Sequence, residues 1–398
     1  MTATRTIGSI ATFSKGSGLA KSDLVADGAH PCVHYGELFT RYGAIIDVVR
    51  SRTGRDLPVK SEVGDVLMPT SDVTPRGLAK ASALLSANVG LGGDVLIIRP
   101  DRAKADSRFL AYAIRHNVNQ VLKLVRGSTV YHLYAADMRH FELPSLPLAE
   151  QSRVADVLKD SDDLINSLER MITKKQAIKQ GMMQELLTGR TRLPGFNGSW
   201  STVELGDLTE VVSGGTPSSS VQAYWDGGIP WATPTDITNE SGRYLRRTER
   251  TISKGGLEHS AARLLPAGSL LLCTRATVGE VKIAAVPTAT NQGFKSLVPN
   301  SGVSSTFLYY KVLTLKDVLT SKGSGSTFLE VSKRDVAKLL LGVPNTSEQI
   351  AIATALTDVD DEIDCLTVRL QKARAVKQGM MQELLTGRTR LPVQETVA

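Results

Sequence analysis

Apolar residues recur at alternating three- and four-residue steps along two long stretches of the chain. Positions 154, 158, 161, 165, 168, 172, 175, 179, 182 and 186 read Val, Leu, Ser, Ile, Leu, Ile, Lys, Lys, Met, Leu, seven apolar of ten. The same steps from 352 to 384 read Ile, Leu, Val, Ile, Leu, Leu, Ala, Lys, Met, Leu, nine of ten. That spacing is the seam of a coiled coil, so each stretch is predicted as an amphipathic helix. Asn345, three residues before Glu348, supplies a cap at the start of the second. Gly189 and Gly387, followed by Pro194 and Pro392, mark the stops. Each helix then runs about 40 residues, or about 60 Å.

An apolar stripe of that length needs a partner, and the nearest one is the other helix. An antiparallel pair would hold a globular unit at either end of a rod; the alternative is two unrelated helices, each packed on its own domain. Gly181 and Gly379 fall inside the predicted helices, where Gly costs about 1 kcal/mol against Ala. Their presence in both helices fits close approach by another backbone, such as a partner subunit, and equally a tolerated weak spot.

The helices belong to a longer repeat. Lys179 to Pro194 and Lys377 to Pro392 both read KQGMMQELLTGRTRLP, an offset of 198. The offset carries Glu150-Gln151 onto Glu348-Gln349, Asp162-Asp163 onto Asp360-Asp361, Gly127-Ser128-Thr129 onto Gly325-Ser326-Thr327, and Phe109-Leu110-Ala111-Tyr112 onto Phe307-Leu308-Tyr309-Tyr310. Upstream the letters diverge and the register drifts, so that Gly64-Asp65 best matches Gly268-Ser269. The chain thus divides into a variable unit 1–146, a helical spacer 147–194, a second variable unit 195–344 and a second spacer 345–398.

The variable units alternate short strand-like runs (Val66 to Met68, Val95 to Ile98, Leu270 to Cys273) with Gly, Pro, Asn and Asp turns. Phe109 to His116 and Thr306 to Leu313 read as short helices. The expected fold class is therefore α+β: two mixed α/β domains separated by a pair of long antiparallel coiled-coil helices.

Charge changes the picture. The chain of 398 residues carries a formal +7. Residues 1–142 hold 18 Lys+Arg against 13 Asp+Glu, and residues 195–342 hold 15 against 12. The helical segments together come to −1, so the positive excess lies wholly in the variable units. Two cationic heads on a neutral spacer suit a polyanion, although a surface of mixed charge gives a similar count. Loops rich in hydroxyls, guanidinium groups and aromatics are the candidate DNA-contact segments. In the first unit these supply Lys15, Ser17, Arg41, Arg76, Arg126, Ser128, Tyr131 and His132. In the second they supply Thr216, Ser218, Trp231, Thr233, Thr235, Arg246, Arg275, Lys322, Ser324 and Ser326.

Catalytic signals are weak. His30, Cys32 and His34 alternate along one run, but a fourth zinc ligand is not evident and the second unit has no counterpart. Asp162-Asp163 and Asp360-Asp361 read as solvated faces of the long helices. No phosphate-binding GxxxxGK[ST] loop occurs, and Gly90 to Gly93 precedes a strand rather than opening a helix. Cys32, Cys273 and Cys365 are odd in number and far apart, which fits a reducing cytoplasm. No membrane span and no secretory signal is expected. A non-catalytic chain is the expectation, with no metal and no cofactor bound.

With these motifs in hand, the sequence resembles the specificity subunit of type I restriction–modification enzymes. Glu150-Gln151 and Glu348-Gln349, both KQGMMQELLTGRTRLP segments, Val212 to Pro217, Ile229-Pro230-Trp231, Thr235-Asp236-Ile237, Ile7 to Gly18 and Pro31 to Glu37 carry the likeness. The resemblance implies two target-recognition domains that each read half of a split double-stranded DNA sequence, with the helices fixing the gap. It also implies two modification (methyltransferase) subunits that bind S-adenosylmethionine, and restriction subunits that use ATP and Mg²⁺. The helical segments would dock them, with Gly181, Met182, Leu186, Gly379, Met380 and Leu384 as the expected subunit interface. A recognition module serving another effector is the alternative.

Overall fold

The computed structural model of the chain describes residues 3–322 and 330–391. It forms two compact units. One runs up to Arg170 and takes in the stretch from Thr367 on; the other runs from Met171 to Leu366. The spacers expected as segments of their own are thus shared out, half of each long helix to each unit.

Eight strands build the two larger sheets of the first unit: β1 (Ala11–Lys15), β2 (His30–Val33), β3 (Ile45–Ile46), β4 (Ser51–Thr53), β5 (Asp65–Pro69), β6 (Ser82–Leu84), β7 (Gly90–Leu91) and β8 (Val95–Pro100). They form a five-stranded sheet in the order β1-β8-β5-β6-β3 and a three-stranded sheet in the order β4-β2-β7. The second unit repeats the set as β9 (Thr209–Ser213), β10 (Trp225–Ala232), β11 (Tyr244–Leu245), β12 (Arg250–Ile252), β13 (Leu270–Leu272), β14 (Val281–Ala284), β15 (Ala289–Thr290) and β16 (Lys295–Pro299). Its sheets run β9-β16-β13-β14-β11 and β12-β10-β15, the same topology strand for strand. Even the one parallel pair of each large sheet, β3 with β6 and β11 with β14, is kept. Central strands β5 and β13 are buried on both faces, as continuous apolar runs require. Gly64 and Gly268, at φ +90° and +88°, turn the chain into them in a conformation that favours Gly.

Helix α1 (Ser107–His116) starts on Asp106, whose carboxylate accepts from the Arg108 and Phe109 N–H groups. The long helix α2 (Leu148–Leu186) follows, 39 residues. In the second unit α3 (Ser305–Leu313) starts on the Ser304 hydroxyl, and α4 (Thr346–Leu384) is again 39 residues. Glu348 N–H donates to Asn345 Oδ1 at 3.0 Å, the expected cap. Gly189 and Gly387, at φ +72° and +69°, end the two helices in the left-handed turn expected of Gly.

None of the predicted stripe positions on α2 or α4 is exposed. Within the first unit Glu150 meets Arg390, Asp162 meets Lys377 and Glu169 meets Arg374. Within the second, Lys175 meets Glu362, Lys179 meets Asp360 and Arg192 meets Glu348. One number climbs as the other falls, so the helices pair antiparallel in both units. The lysines interrupting the stripe are therefore ion-pair partners that lay their stems along the seam.

The core of the first unit gathers Phe109, Tyr112 and Phe141 with Val154 and Leu158 of α2 and with Leu384 and Leu385 from the end of the chain. The core of the second gathers Phe307, Leu308 and Tyr310 with Ile352 and Leu356 of α4 and with Leu186 and Leu187. Each copy of the duplicated segment thus completes the core of the unit built around the other half of the repeat.

Candidate nucleic-acid interface

In the first unit the chain doubles back at 126–132. Arg126 N–H donates to the His132 carbonyl at 2.9 Å, and His132 N–H returns a 2.7 Å bond. Gly127, at φ +111°, makes the turn; a Cβ there would stand 2.2 Å from the Val130 oxygen. The tip presents Ser128 and Thr129 to solvent. Tyr131–His132 lie antiparallel to Ser71–Asp72, so two segments 55 or more residues apart in sequence share one edge. Lys15 joins them at the end of β1: its ammonium is 3.4 Å from Asp94, whose carbonyl accepts from Thr70 N–H. Ser17 is half-buried, 3.5 Å from the Leu91 carbonyl. Arg76 is exposed and lines a cleft of about 530 Å³ with Lys80 and Arg115.

Two of the first-unit candidates are arginines held by carboxylates. Arg126 bonds Asp137 at 2.5 Å, which raises the guanidinium pKa further. Arg41 bonds both the buried Glu37 carboxylate at 2.8 Å and Ser51 at 2.9 Å. It walls a second cleft, of about 680 Å³, with Lys21, Arg50 and Arg52.

In the second unit the loop carrying Thr216 and Ser218 hangs on two indoles. Trp231 Nε1–H donates to the Gly215 carbonyl at 2.9 Å, and Trp225 Nε1–H to the Ser218 carbonyl at 3.2 Å. Thr216 and Ser218 are exposed; the Thr216 hydroxyl donates to Gln292. Trp231, expected among the DNA-contact residues, is instead 4% exposed, packed edge-on against Trp225 at 5.1 Å. Its amphipathic ring fills the core and its one donor is spent on the loop. Thr233 is half-buried, and its hydroxyl and N–H both donate to the Asp236 carboxylate at the start of a short helix. Thr235 and Arg246 are exposed, and Arg246 lies 6.0 Å over the Tyr244 ring. Arg275 bonds Glu330 at 2.5 Å, and this bond, with help from Lys295, holds the Glu330 carboxyl below its usual range. Lys322 is exposed at the end of its helix, while Ser324 and Ser326 lie outside the described residues.

The expected docking residues divide. Leu186 and Leu384 are 5% exposed inside the cores of their units, which removes them from any outer surface. Met182 and Met380 pack half-buried at the core edges. Gly181 and Gly379 are exposed, and a Cβ on either would meet nothing within 4 Å, so no backbone within the chain approaches them.

Three features escaped the sequence reading. Tyr112 donates to Asp162 at 2.8 Å and Tyr310 to Asp360 at 2.6 Å. Lys377 and Lys179 stand over the respective tyrosine rings while pairing with those carboxylates. The aspartates read as solvated are thus half of a clamp; their neighbours Asp163 and Asp361 are the exposed ones. Recurrence of Tyr and Asp at the same offset within diverged letters was the available signal. The third feature is Arg250, whose guanidinium lies 3.7 Å over the Trp225 ring.

Among the described residues no group of three His, Cys, Asp or Glu side chains converges to hold a metal. Cys32 is fully buried, and the His34 ring accepts from Gly36 N–H at 3.1 Å. No helix among the described residues is long and apolar enough to cross a membrane.

Residues 63–180 and 197–374 match the family described as the type I restriction modification DNA specificity domain. The chain belongs to this family. Members of it are specificity subunits, the non-catalytic part of a restriction–modification system. The chain is 39% identical to the type I restriction enzyme MjaIX specificity subunit of Methanocaldococcus jannaschii over 167 residues, 42% of this chain and 39% of that protein. It is 25% identical to a putative MjaX specificity subunit of the same organism over 75% of this chain and 72% of that one. Among solved structures, the S subunit of a type I restriction-modification system from M. genitalium superposes with a TM-score of 0.64 at 15% identity, covering 96% of each chain. At that identity the likeness is one of fold.

Proposed function

We propose that this specificity subunit reads a bipartite double-stranded DNA target, one half with each variable unit, and that its helices set the gap. The observation that carries this reading is the combination of one eight-strand topology with two unlike sets of loops. In each unit a Tyr–Asp–Lys clamp ties the short helix that follows the large sheet to a long helix. A rigid span between two readers is what converts half-site recognition into a fixed spacing.

Exposed Ser128, Thr216, Ser218, Thr235, Arg76, Arg246 and Lys322 are the side chains offered to base edges and phosphates. Arg126, Arg41 and Arg275 would act as fixed charges whose carboxylate partners orient them. The helical surface around Gly181 and Gly379 is assigned to two modification subunits, which would bring S-adenosylmethionine, and through them to restriction subunits with ATP and Mg²⁺. The chain itself would hold none of these. A cytoplasmic setting suits its three unpaired cysteines.

The test is a map of methylated adenines in the native cell with the gene present and deleted, and with four residues inserted into both helices. One turn is about 6 Å. The expected result is a split motif that vanishes on deletion and changes its gap, not its halves, on insertion. Loss of neither motif nor gap would refute the reading.

A further inference from the structure

We propose that Arg250 is the specificity-determining guanidinium of the second unit, and that it reads a guanine through the major groove. The assignment rests on the DNA-recognition reading and names a residue within it.

The arginines of this unit sort by what they face. Arg192, Arg243, Arg263 and Arg275 each pair with a carboxylate. Arg250 is exposed and, like Arg246, pairs with no carboxylate among the described residues; what sets it apart is its close seat on an aromatic platform, since Arg246 stays 6.0 Å from the Tyr244 ring. The guanidinium centre is 3.7 Å from the Trp225 ring centroid and 5.8 Å from that of Trp231. Stacking uses the face of the guanidinium and leaves its rim of N–H donors free. Guanine presents O6 and N7 as two neighbouring acceptors in the major groove, the match for two parallel donors. A stacked side chain has already lost much of its rotamer freedom, so less is lost on binding.

The platform is tied to the recognition loop. Both indoles donate to carbonyls of the segment that carries Thr216 and Ser218. Arg250 sits opposite Trp231 on β12, an outer strand of its three-stranded sheet. In the first unit the matching register places Ser51 opposite Cys32, and Ser51 is buried on Glu37. The device therefore belongs to one half of the molecule only.

The test selects duplexes from a library randomised in both half-sites, using the complex purified from the native cell with wild-type chain, Arg250→Gln or Arg250→Lys. The expected result is loss of preference for guanine at one position of one half-site, roughly ten- to hundredfold, in both variants. The other half-site stays unchanged. Equal weakening on all sequences, restored by Lys, would reduce Arg250 to a phosphate contact and overturn the assignment. So would an unaltered motif in Arg250→Gln. A wild-type complex with no preference in either half would overturn the recognition reading itself, an outcome distinct from the other two.

Discussion

The phenol of Tyr112 donates a 2.8 Å hydrogen bond to Asp162, tying α1 of the first unit to α2. Tyr310 and Asp360 repeat the tie between α3 and α4 at 2.6 Å. Both tyrosines are buried, and burial with the adjacent carboxylate drives both phenol pKa values far up, so they stay protonated donors. Tyr112→Phe and Tyr310→Phe should each cost about 1.5–3 kcal/mol, the range of a hydrogen bond to a charged group. Because the two ties lie in separate units, the double variant should show close to the sum in chemical denaturation.

Leu385 is fully buried in the first unit and Leu187 is 1% exposed in the second. Leu385→Ala should destabilise by about 2–5 kcal/mol, as core truncations do. Hydrogen exchange should then rise in β1 to β8, far along the sequence, and not in β9 to β16. Leu187→Ala should show the reverse.

The three thiols should separate cleanly. Cys365 is exposed, whereas Cys32 and Cys273 are buried, so an alkylating reagent should modify one cysteine quickly and two only on unfolding. Burial pushes the Cys32 thiol up to about 11 and Cys273 to about 12, from 9.0 in the open chain. A raised folded value means the unfolded chain releases its proton first. Stability from these thiols is complete below pH 9 and falls as pH rises toward 11 and 12, at up to about 1.4 kcal/mol per pH unit for each. Denaturation between pH 8 and 11 checks the slope, and Cys273→Ala should flatten it.

Gly181→Ala and Gly379→Ala meet open space, so each should stabilise the free chain by up to about 1 kcal/mol through helix propensity. If partner subunits close on these glycines, the same variants should weaken co-purification of the methyltransferase. Gain in thermal stability with undiminished co-purification would take the glycines out of the interface.

The sequence made the long helices legible because their burial has a period, and a stripe on one side of a helix survives substitution of individual letters. It misled at Asp162, which sits among charged neighbours, because its partner Tyr112 is 50 residues away and no local rule joins them. It misled at Trp231 for a different reason. An aromatic among Gly, Pro and Thr has the composition of an exposed stacking surface, and only the path of the loop at Gly215 shows the ring to be inside. Arg250 carries no local signal of its own: it follows Arg246 in a basic run, and its indole platform is 25 residues upstream.

The dependence of the first unit on Leu384 and Leu385 bears on how the protein is made. A ribosome that has finished the first head has still to add more than 200 residues before the closing piece emerges, roughly 10–50 s at ordinary elongation rates. During that interval the nascent head has an open apolar flank, while the second head already has Leu186 and Leu187 beneath it as it is synthesised. The portion born first is therefore the last to be sealed, and a premature stop near the end of the message would injure the beginning of the protein.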